Sequence, residues 1–365
     1  MINSIQDIKK FINDKKFKKI FILCGKKSFI TSGAKNFFID YLKTKDTKLF
    51  YKLSDYPILD ELINIIREIR NFKPDLILAI GGGTVIDYAK MANLVEYRED
   101  LKDLILNYSY PFKKKYTELI AIPTTAGSGA EVTSNAVIYV DGVKYSFESK
   151  LLIPDNFFLI PEFLILAPNK VKASAGFDAI AQALESLMSK KSNKQSVDFA
   201  SKSLKISINS YISFLKDPSL KNATAMSIAS NLAGKAINIS KTTAPHAVSY
   251  PFTSLFNISH GHAVGLFFEN FLKFNFYNLA KSETSFNLLE RFELIFKIFS
   301  VNNINDFNSK ISLIKNKAKL DDNLENLNID VKKNSEKIIN GINLLRLGNN
   351  PVKIDRNDIY KIISR

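Results

Sequence analysis

The sequence predicts two parts of different texture: an α/β N-terminal half with a parallel sheet of Rossmann-like type over residues 1–166, and an all-α C-terminal half over 167–365. Three observations carry this expectation. Apolar runs of strand length alternate with helical patterns through the first half, as in a parallel sheet flanked by helices. Two of those runs lead into loops crowded with glycine and small hydroxyl residues. After Pro168 the strand signals fade and long stretches of helical period take over.

Taken in order, residues 17–24, 48–53, 75–80 and 118–122 read as strands, with helix patterns near 33–44, 58–71 and 84–95 and a further strand around Tyr139. The runs at 75–80 and 118–122 are apolar on both faces, as expected where helices cover both sides of a sheet. In the second half Phe177, Ile180, Ala181, Leu184, Leu187 and Met188 recur three and four apart, giving one apolar helical stripe. Residues 301–340 are rich in Asn, Lys and Asp, yet Ile311, Leu313, Ile314, Leu320 and Leu324 keep an apolar rhythm, so surface helices are expected rather than a disordered tail. There is no internal repeat.

A chain of 365 residues is long enough for two cores, and 46% apolar with 24% charged residues is an ordinary globular composition. The one cysteine, Cys24, excludes an intrachain disulfide and fits a reducing compartment. No charged start followed by an apolar run opens the chain, and no stretch approaches the roughly 20 apolar residues of a membrane span, so a cytoplasmic protein is expected. The formal charge of +15 raises nucleic acid as a partner, but the lysines are dispersed and only Lys113 to Lys115 form a run. The reading is therefore no nucleic acid and no membrane, with a basic balance that suits a small anionic substrate.

Gly81-Gly82-Gly83-Thr84, continuing to Asp87 and Lys90, joins a buried run to a helical pattern. Glycines let the backbone approach a pyrophosphate, and a helix N-terminus offers free N–H groups and a positive dipole end. Thr84 can cap the helix or give a hydroxyl to phosphate; a tight turn with no ligand would use the same residues. The second loop, from Pro123 through Thr124, Thr125 and Ser128 to Thr133, also follows a strand. Two such loops at the C-terminal ends of strands face one crevice, where open α/β sheets bind ligands, and one nucleotide held from both sides is the economical reading.

His246, His260 and His262 are the only histidines and lie within 17 residues. Neutral imidazole is the commonest metal ligand, although hydrogen-bonded structural histidines are the alternative. Asp178 is the best carboxylate partner, and as the apparent opening of the apolar helix after Gly176 it could equally be a cap. Gln182, one turn later, shares its face; its amide oxygen can coordinate, though poorly for soft divalent metals.

With these segments in hand, the chain resembles the iron-containing (group III) alcohol dehydrogenases, relatives of dehydroquinate synthase and glycerol dehydrogenase. The resemblance rests on the Gly81 to Lys90 motif, the Pro123 to Glu131 loop, Gly176-Phe-Asp178-Ala and the His246 and His260 segments, in family order and spacing. It implies an NAD(P)-dependent oxidoreductase acting on alcohols and aldehydes, a homodimer, and a divalent metal, iron favoured and zinc possible, on one Asp and three His. Asp178, His246 and His260 match three of those positions, and the fourth falls on Gln182. A family histidine near the nicotinamide falls on Tyr250, so proton delivery is assigned to Tyr250, water or the cofactor ribose. NAD-using members commonly place an Asp after the first strand; here Gly25-Lys26-Lys27-Ser28 stands there, which favours NADPH over NADH. Lys144 matches a family lysine that approaches the cofactor, or is a surface lysine on the strand around Tyr139.

Within the family, the Asp178 to Ser186, Lys241 to Tyr250 and His260-Gly-His262 segments look most like the phosphonoacetaldehyde-reducing branch. That resemblance implies reduction of phosphonoacetaldehyde to 2-hydroxyethylphosphonate in phosphonate biosynthesis, with Lys241 and His262 as substrate contacts and His246, His260 and Tyr250 around the reacting group. A general alcohol dehydrogenase acting on another small aldehyde or polyol, a sugar-phosphate cyclase of the dehydroquinate synthase type, and a non-catalytic nucleotide-binding protein are the other readings.

Overall fold

The computed structural model describes residues 2–364. They divide into two units: the chain up to Pro168 together with Pro218–Ile228, and Asn169–Asp217 together with the chain from Ala229 onward.

In the first unit the strands are β1 (Lys19–Gly25), β2 (Asp46–Lys52), β3 (Leu76–Gly81), β4 (Glu118–Pro123), β5 (Asn135–Val140), β6 (Val143–Glu148) and β7 (Asn156–Phe157). Five form one parallel sheet in the order β2-β1-β3-β4-β7. Alternation along each strand divides the core. Phe21, Leu23, Ile77, Ala79, Leu119 and Ala121 pack on one face beneath α4 (Leu59–Phe72) and α5 (Gly83–Leu94). Ile20, Ile22, Leu78, Ile80, Ile120 and Ile122 pack on the other with Ile8, Ile12, Phe29 and Phe38. That double burial is why these strands read as continuous apolar runs.

The chain leaves β1 toward β2 on one side and reaches β3 on the other, so the C-terminal ends of β1 and β3 flank the switch point where doubly wound sheets bind ligands. Gly25 and Gly81 stand there. The strand expected around Tyr139 is β5, paired antiparallel with β6 through a turn at Asp141 and Gly142, whose φ values are 51° and 78°. Positive φ at both positions is what an Asp-Gly hairpin turn requires. Lys144 is opposite Tyr139 on β6, which corrects the expectation that it shares Tyr139's strand.

Among the described residues the second unit is helical apart from a bridge between Ser282 and Val352. Its helices include α8 (Asn169–Met188), α9 (Lys194–Lys216), α11 (Ala244–Phe256), α12 (His260–Gly265), α13 (Phe268–Tyr277), α15 (Ile304–Ala318), α16 (Val331–Asn340), α17 (Leu344–Leu347) and α18 (Arg356–Ile363); α10 (Leu220–Ser240) begins in the first unit. Helix α8 is buried almost all round from Lys172 to Met188, as a helix through the middle of a core must be. It starts at Asn169, nine residues before Asp178. Asp178 therefore does not cap a helix; it is a carboxylate in the middle of one. Among the described residues no helix is long and apolar enough to cross a membrane.

Candidate functional site

Three segments of the second unit converge. Helix α8 supplies Asp178 and Gln182, α11 supplies His246, and α12 begins with His260. One ligand atom each from Asp178, His246 and His260 lies within 4.8 Å of the others. His246 Nε2 stands 3.1 Å and His260 Nε2 4.0 Å from Asp178 Oδ1. The Asp178 and His246 side chains are almost wholly buried, whereas His260 keeps 35% of its surface, so the cluster is open on the His260 side.

Gln182 Nε2 donates to Asp178 Oδ2 at 3.1 Å, which leaves Gln182 Oε1 buried with no partner. A buried amide oxygen without a donor is costly, and a cation in this cluster would satisfy it. The donor set of one carboxylate, two imidazoles and one amide oxygen thus fits a divalent metal.

The close approach of α12 to α8 depends on Gly261. A Cβ there would lie 2.0 Å from the Ser174 carbonyl oxygen and 2.8 Å from Asp178 Cβ. Only glycine lets the helix that starts with His260 come this near Asp178.

Glu185 was not among the residues singled out from the sequence. It is fully buried on α8, accepts from the Thr243 backbone N–H (2.6 Å) and hydroxyl (2.9 Å), and bonds His246 Nδ1. This fixes the ring and leaves Nε2 facing Asp178, the arrangement by which a carboxylate orients a metal-binding histidine. Burial works against a charged His246, but Glu185 and Asp178 outweigh it and push the imidazole up to about 9. For Asp178, burial alone would raise the carboxyl; the hydrogen bond from His246 and the charges of His260 and His246 hold it below its usual value. Asp178, Gln182 and Glu185 are spaced four and three apart with only apolar residues between them, and that polar stripe was the available sequence signal.

Tyr250 lies one turn after His246 and its ring stacks on His260, centroids 5.7 Å apart. The Arg346 guanidinium lies beside the Tyr250 hydroxyl. The two suggested substrate cations are engaged elsewhere. Lys241 follows α10 in a left-handed conformation (φ 63°) and its Nζ donates to the Asn238 carbonyl at 2.9 Å. His262 Nε2 lies 2.5 Å from the Asp321 carbonyl oxygen.

In the first unit the two glycine and hydroxyl loops meet. The Thr124 N–H donates to the Gly81 carbonyl at 3.0 Å; a Cβ on Gly82 would stand 3.2 Å from Thr125 Oγ1, and one on Gly83 2.8 Å from Ser128 Oγ. Thr124 Oγ1 is buried without a partner. Gly82 precedes α5 with no side-chain cap, so Thr84 does not cap the helix; its hydroxyl donates to the Asp55 carbonyl at 3.1 Å. At the end of β1, Ser28 Oγ donates to the Gly25 carbonyl and Lys26 is exposed. Lys52, which the sequence did not single out, pairs with Gly25 across the sheet, and its Nζ donates to the Ser54 carbonyl near Asp55 and Glu61. Asp87 accepts from the Val137 N–H; burial raises its carboxyl to about 6 against the pull of Lys90 and Lys144. Lys90 is locked by Thr133 and Asn135 oxygens.

Comparison with known proteins agrees with both halves of this description. Residues 2–161 match the family described as iron-containing alcohol dehydrogenase, and residues 172–365 match the C-terminal part of the Fe-containing alcohol dehydrogenase family. The 4-hydroxybutyrate dehydrogenase of Clostridium kluyveri is 32% identical over 279 residues, 73% of each chain. The NADPH-dependent butanol dehydrogenase of Clostridium saccharobutylicum is 28% identical over 363 residues, 95% of this chain and 91% of that one. Other relatives are matched over less of their length, among them a 1-propanol dehydrogenase of Citrobacter freundii, 28% identical over 62% of this chain and 59% of that one. Among solved structures, the sulfoacetaldehyde reductase of Bifidobacterium kashiwanohense in complex with NAD+ has the same fold, with a TM-score of 0.87 at 24% identity, covering 100% of this chain and 95% of that one. The glycine loops, the Asp178, His246 and His260 cluster and these matches agree: the chain belongs to the iron-containing alcohol dehydrogenase family and is an NAD(P)-dependent oxidoreductase.

Proposed function

We propose that this enzyme reduces a small anionic aldehyde to the primary alcohol with NADPH, phosphonoacetaldehyde to 2-hydroxyethylphosphonate being the first pair to test. The observation that carries it is the second unit's cluster, in which Asp178, His246 and His260 converge and Gln182 Oε1 is an orphaned acceptor beside them. These four residues would hold a divalent metal. When bound, the metal supplies Lewis-acid polarisation of the carbonyl, and NADPH supplies the hydride to its carbon.

Glu185 keeps His246 Nε2 turned toward Asp178. Arg346, whose guanidinium lies beside the Tyr250 hydroxyl, has only N–H donors and cannot take the phenol's proton, which is the one to give to the product oxygen. Burial holds that phenol above its usual value, which keeps it protonated at neutral pH. The anionic class is supported by the names of two relatives, a 4-hydroxybutyrate dehydrogenase and a sulfoacetaldehyde reductase, each of which denotes a substrate with an acidic group. The preference for NADPH is supported by Lys26, exposed just after β1, where a carboxylate would select the free ribose hydroxyl.

The test follows NADPH and NADH oxidation with phosphonoacetaldehyde and with unsubstituted aldehydes, on protein loaded separately with iron and with zinc. Faster NADPH oxidation with the phosphonate is expected, together with its loss in His260→Ala while NADPH binding persists. Absence of aldehyde-dependent oxidation with either metal, or full activity in His260→Ala, would refute the reading.

A further inference from the structure

We propose that Arg346 is the specificity residue of this site and binds the anionic end of the aldehyde, a carboxylate, sulfonate or phosphonate; the inference rests on the proposed aldehyde reduction and adds the group that selects the substrate.

Arg346 is tied to the reacting end of the site through two contacts. Its guanidinium lies beside Tyr250, whose ring stacks on His260. The backbone on both sides of it is fastened to the segments that build the metal cluster. On one side, Pro251 in α11 has no N–H to give to the Ala247 carbonyl four residues back, and the Asn343 N–H takes that place at 3.3 Å. Asn343 Oδ1 in turn accepts from the Arg346 N–H at 2.9 Å and starts α17. On the other side, Asn349 Nδ2 donates to Ser189 Oγ (2.8 Å), the Ser240 carbonyl (2.8 Å) and the Thr242 carbonyl (3.0 Å). The next residue, Thr243, holds Glu185. The proline that interrupts α11 therefore creates the attachment that places an arginine beside Tyr250.

The side chain itself is only partly buried, and among the described residues no carboxylate pairs with it. A guanidinium offers five N–H donors in a planar fork, of which Tyr250 can occupy few, and the fork matches a carboxylate, sulfonate or phosphonate oxygen pair. Lys241 and His262 are already engaged by Asn238 and Asp321 carbonyls, which leaves Arg346 better placed than either to meet an anion.

The experiment compares unaltered holoenzyme with Arg346→Gln and Arg346→Lys on 4-oxobutanoate, sulfoacetaldehyde, phosphonoacetaldehyde and neutral butanal. Because Arg346 also touches Tyr250, the readout is the ratio of kcat/KM for each anion to that for butanal, which cancels any shared effect on proton transfer. In Arg346→Gln this ratio should fall about 10- to 100-fold, the range expected for a lost charge-assisted hydrogen bond, mainly through KM, with partial recovery in Arg346→Lys. The anion with the largest loss identifies the group recognised. An unchanged ratio, or a preference of the unaltered enzyme for butanal, would overturn the inference. Calorimetric titration of the holoenzyme with butyrate, propanesulfonate and propylphosphonate decides the matter independently of turnover. Failure to reduce any aldehyde refutes the proposed function, whereas anion binding that is undiminished in Arg346→Gln overturns the role of Arg346.

Discussion

Replacing Gly261 by alanine should dislodge the metal site without unfolding the protein. The new Cβ would be placed 2.0 Å from the Ser174 carbonyl oxygen, whereas ordinary contact begins at 3.4 Å, so α12 and α8 must part by about 1.4 Å. Both sides of the clash are helix backbone, which yields far less readily than a side chain. His260 is the neighbouring residue, and metal sites tolerate ligand displacements of only about 0.2 Å. The strain should cost about 1–3 kcal/mol, lowering Tm by several degrees, while metal affinity falls at least about tenfold. The assay is metal content after gel filtration and competition against a chelator, run beside thermal unfolding of the metal-free protein. Gly265→Ala is the control: its Cβ would meet the Phe177 ring at 3.2 Å, an aromatic edge able to shift by a few tenths of an ångström. Metal affinity in Gly261→Ala equal to that of the unaltered protein would refute the claim that this glycine sets the approach of His260 to Asp178.

Two further outcomes follow from the same geometry. Glu185→Gln preserves the shape of the group that orients His246 but removes its charge, and chelator competition should show metal affinity reduced about 10- to 100-fold; an unchanged affinity would mean that Glu185 is a packing residue only. Asp87 has its carboxyl raised from 3.8 to about 6 inside the protein, so the folded state holds the proton more tightly than the unfolded chain. Its contribution to stability is fully present below pH 3.8 and is lost as pH rises through 6, amounting to about 3 kcal/mol. Denaturant unfolding of Asp87→Asn between pH 4 and 7 should lack that loss relative to the unaltered protein, and parallel pH profiles would disprove the assignment.

The central strands were legible in the sequence because parallel strands buried on both faces must be continuously apolar, as 75–80 and 118–122 are. Helix α1 (Ile5–Asp14) was missed: its apolar face is only Ile5, Ile8, Phe11 and Ile12, three and four apart within ten residues, and only Ile8 and Ile12 are fully buried. Asp178 was read as a helix opening because Gly176 precedes it, yet packing continues the helix back to Asn169 and buries Gly176 within it. Here tertiary burial outweighs the local preference of glycine for a helix end.

The site divides in the same way. Residue types that rarely occur without a chemical reason, three clustered histidines and two glycine loops after strands, marked it in one dimension. Glu185 and Arg346 carried no such mark. A glutamate within a helix and an arginine 96 residues beyond Tyr250 both read as solvated charge until the fold is known. What the sequence by itself determined was the order of elements and the chemistry of the donors, because periodicity and side-chain type are local. What only the tertiary structure decided was which charges are taken out of water and beside which partners. Burial is set by neighbours distant in the chain, and it is burial that turns Glu185 from a surface carboxylate into the anchor of His246.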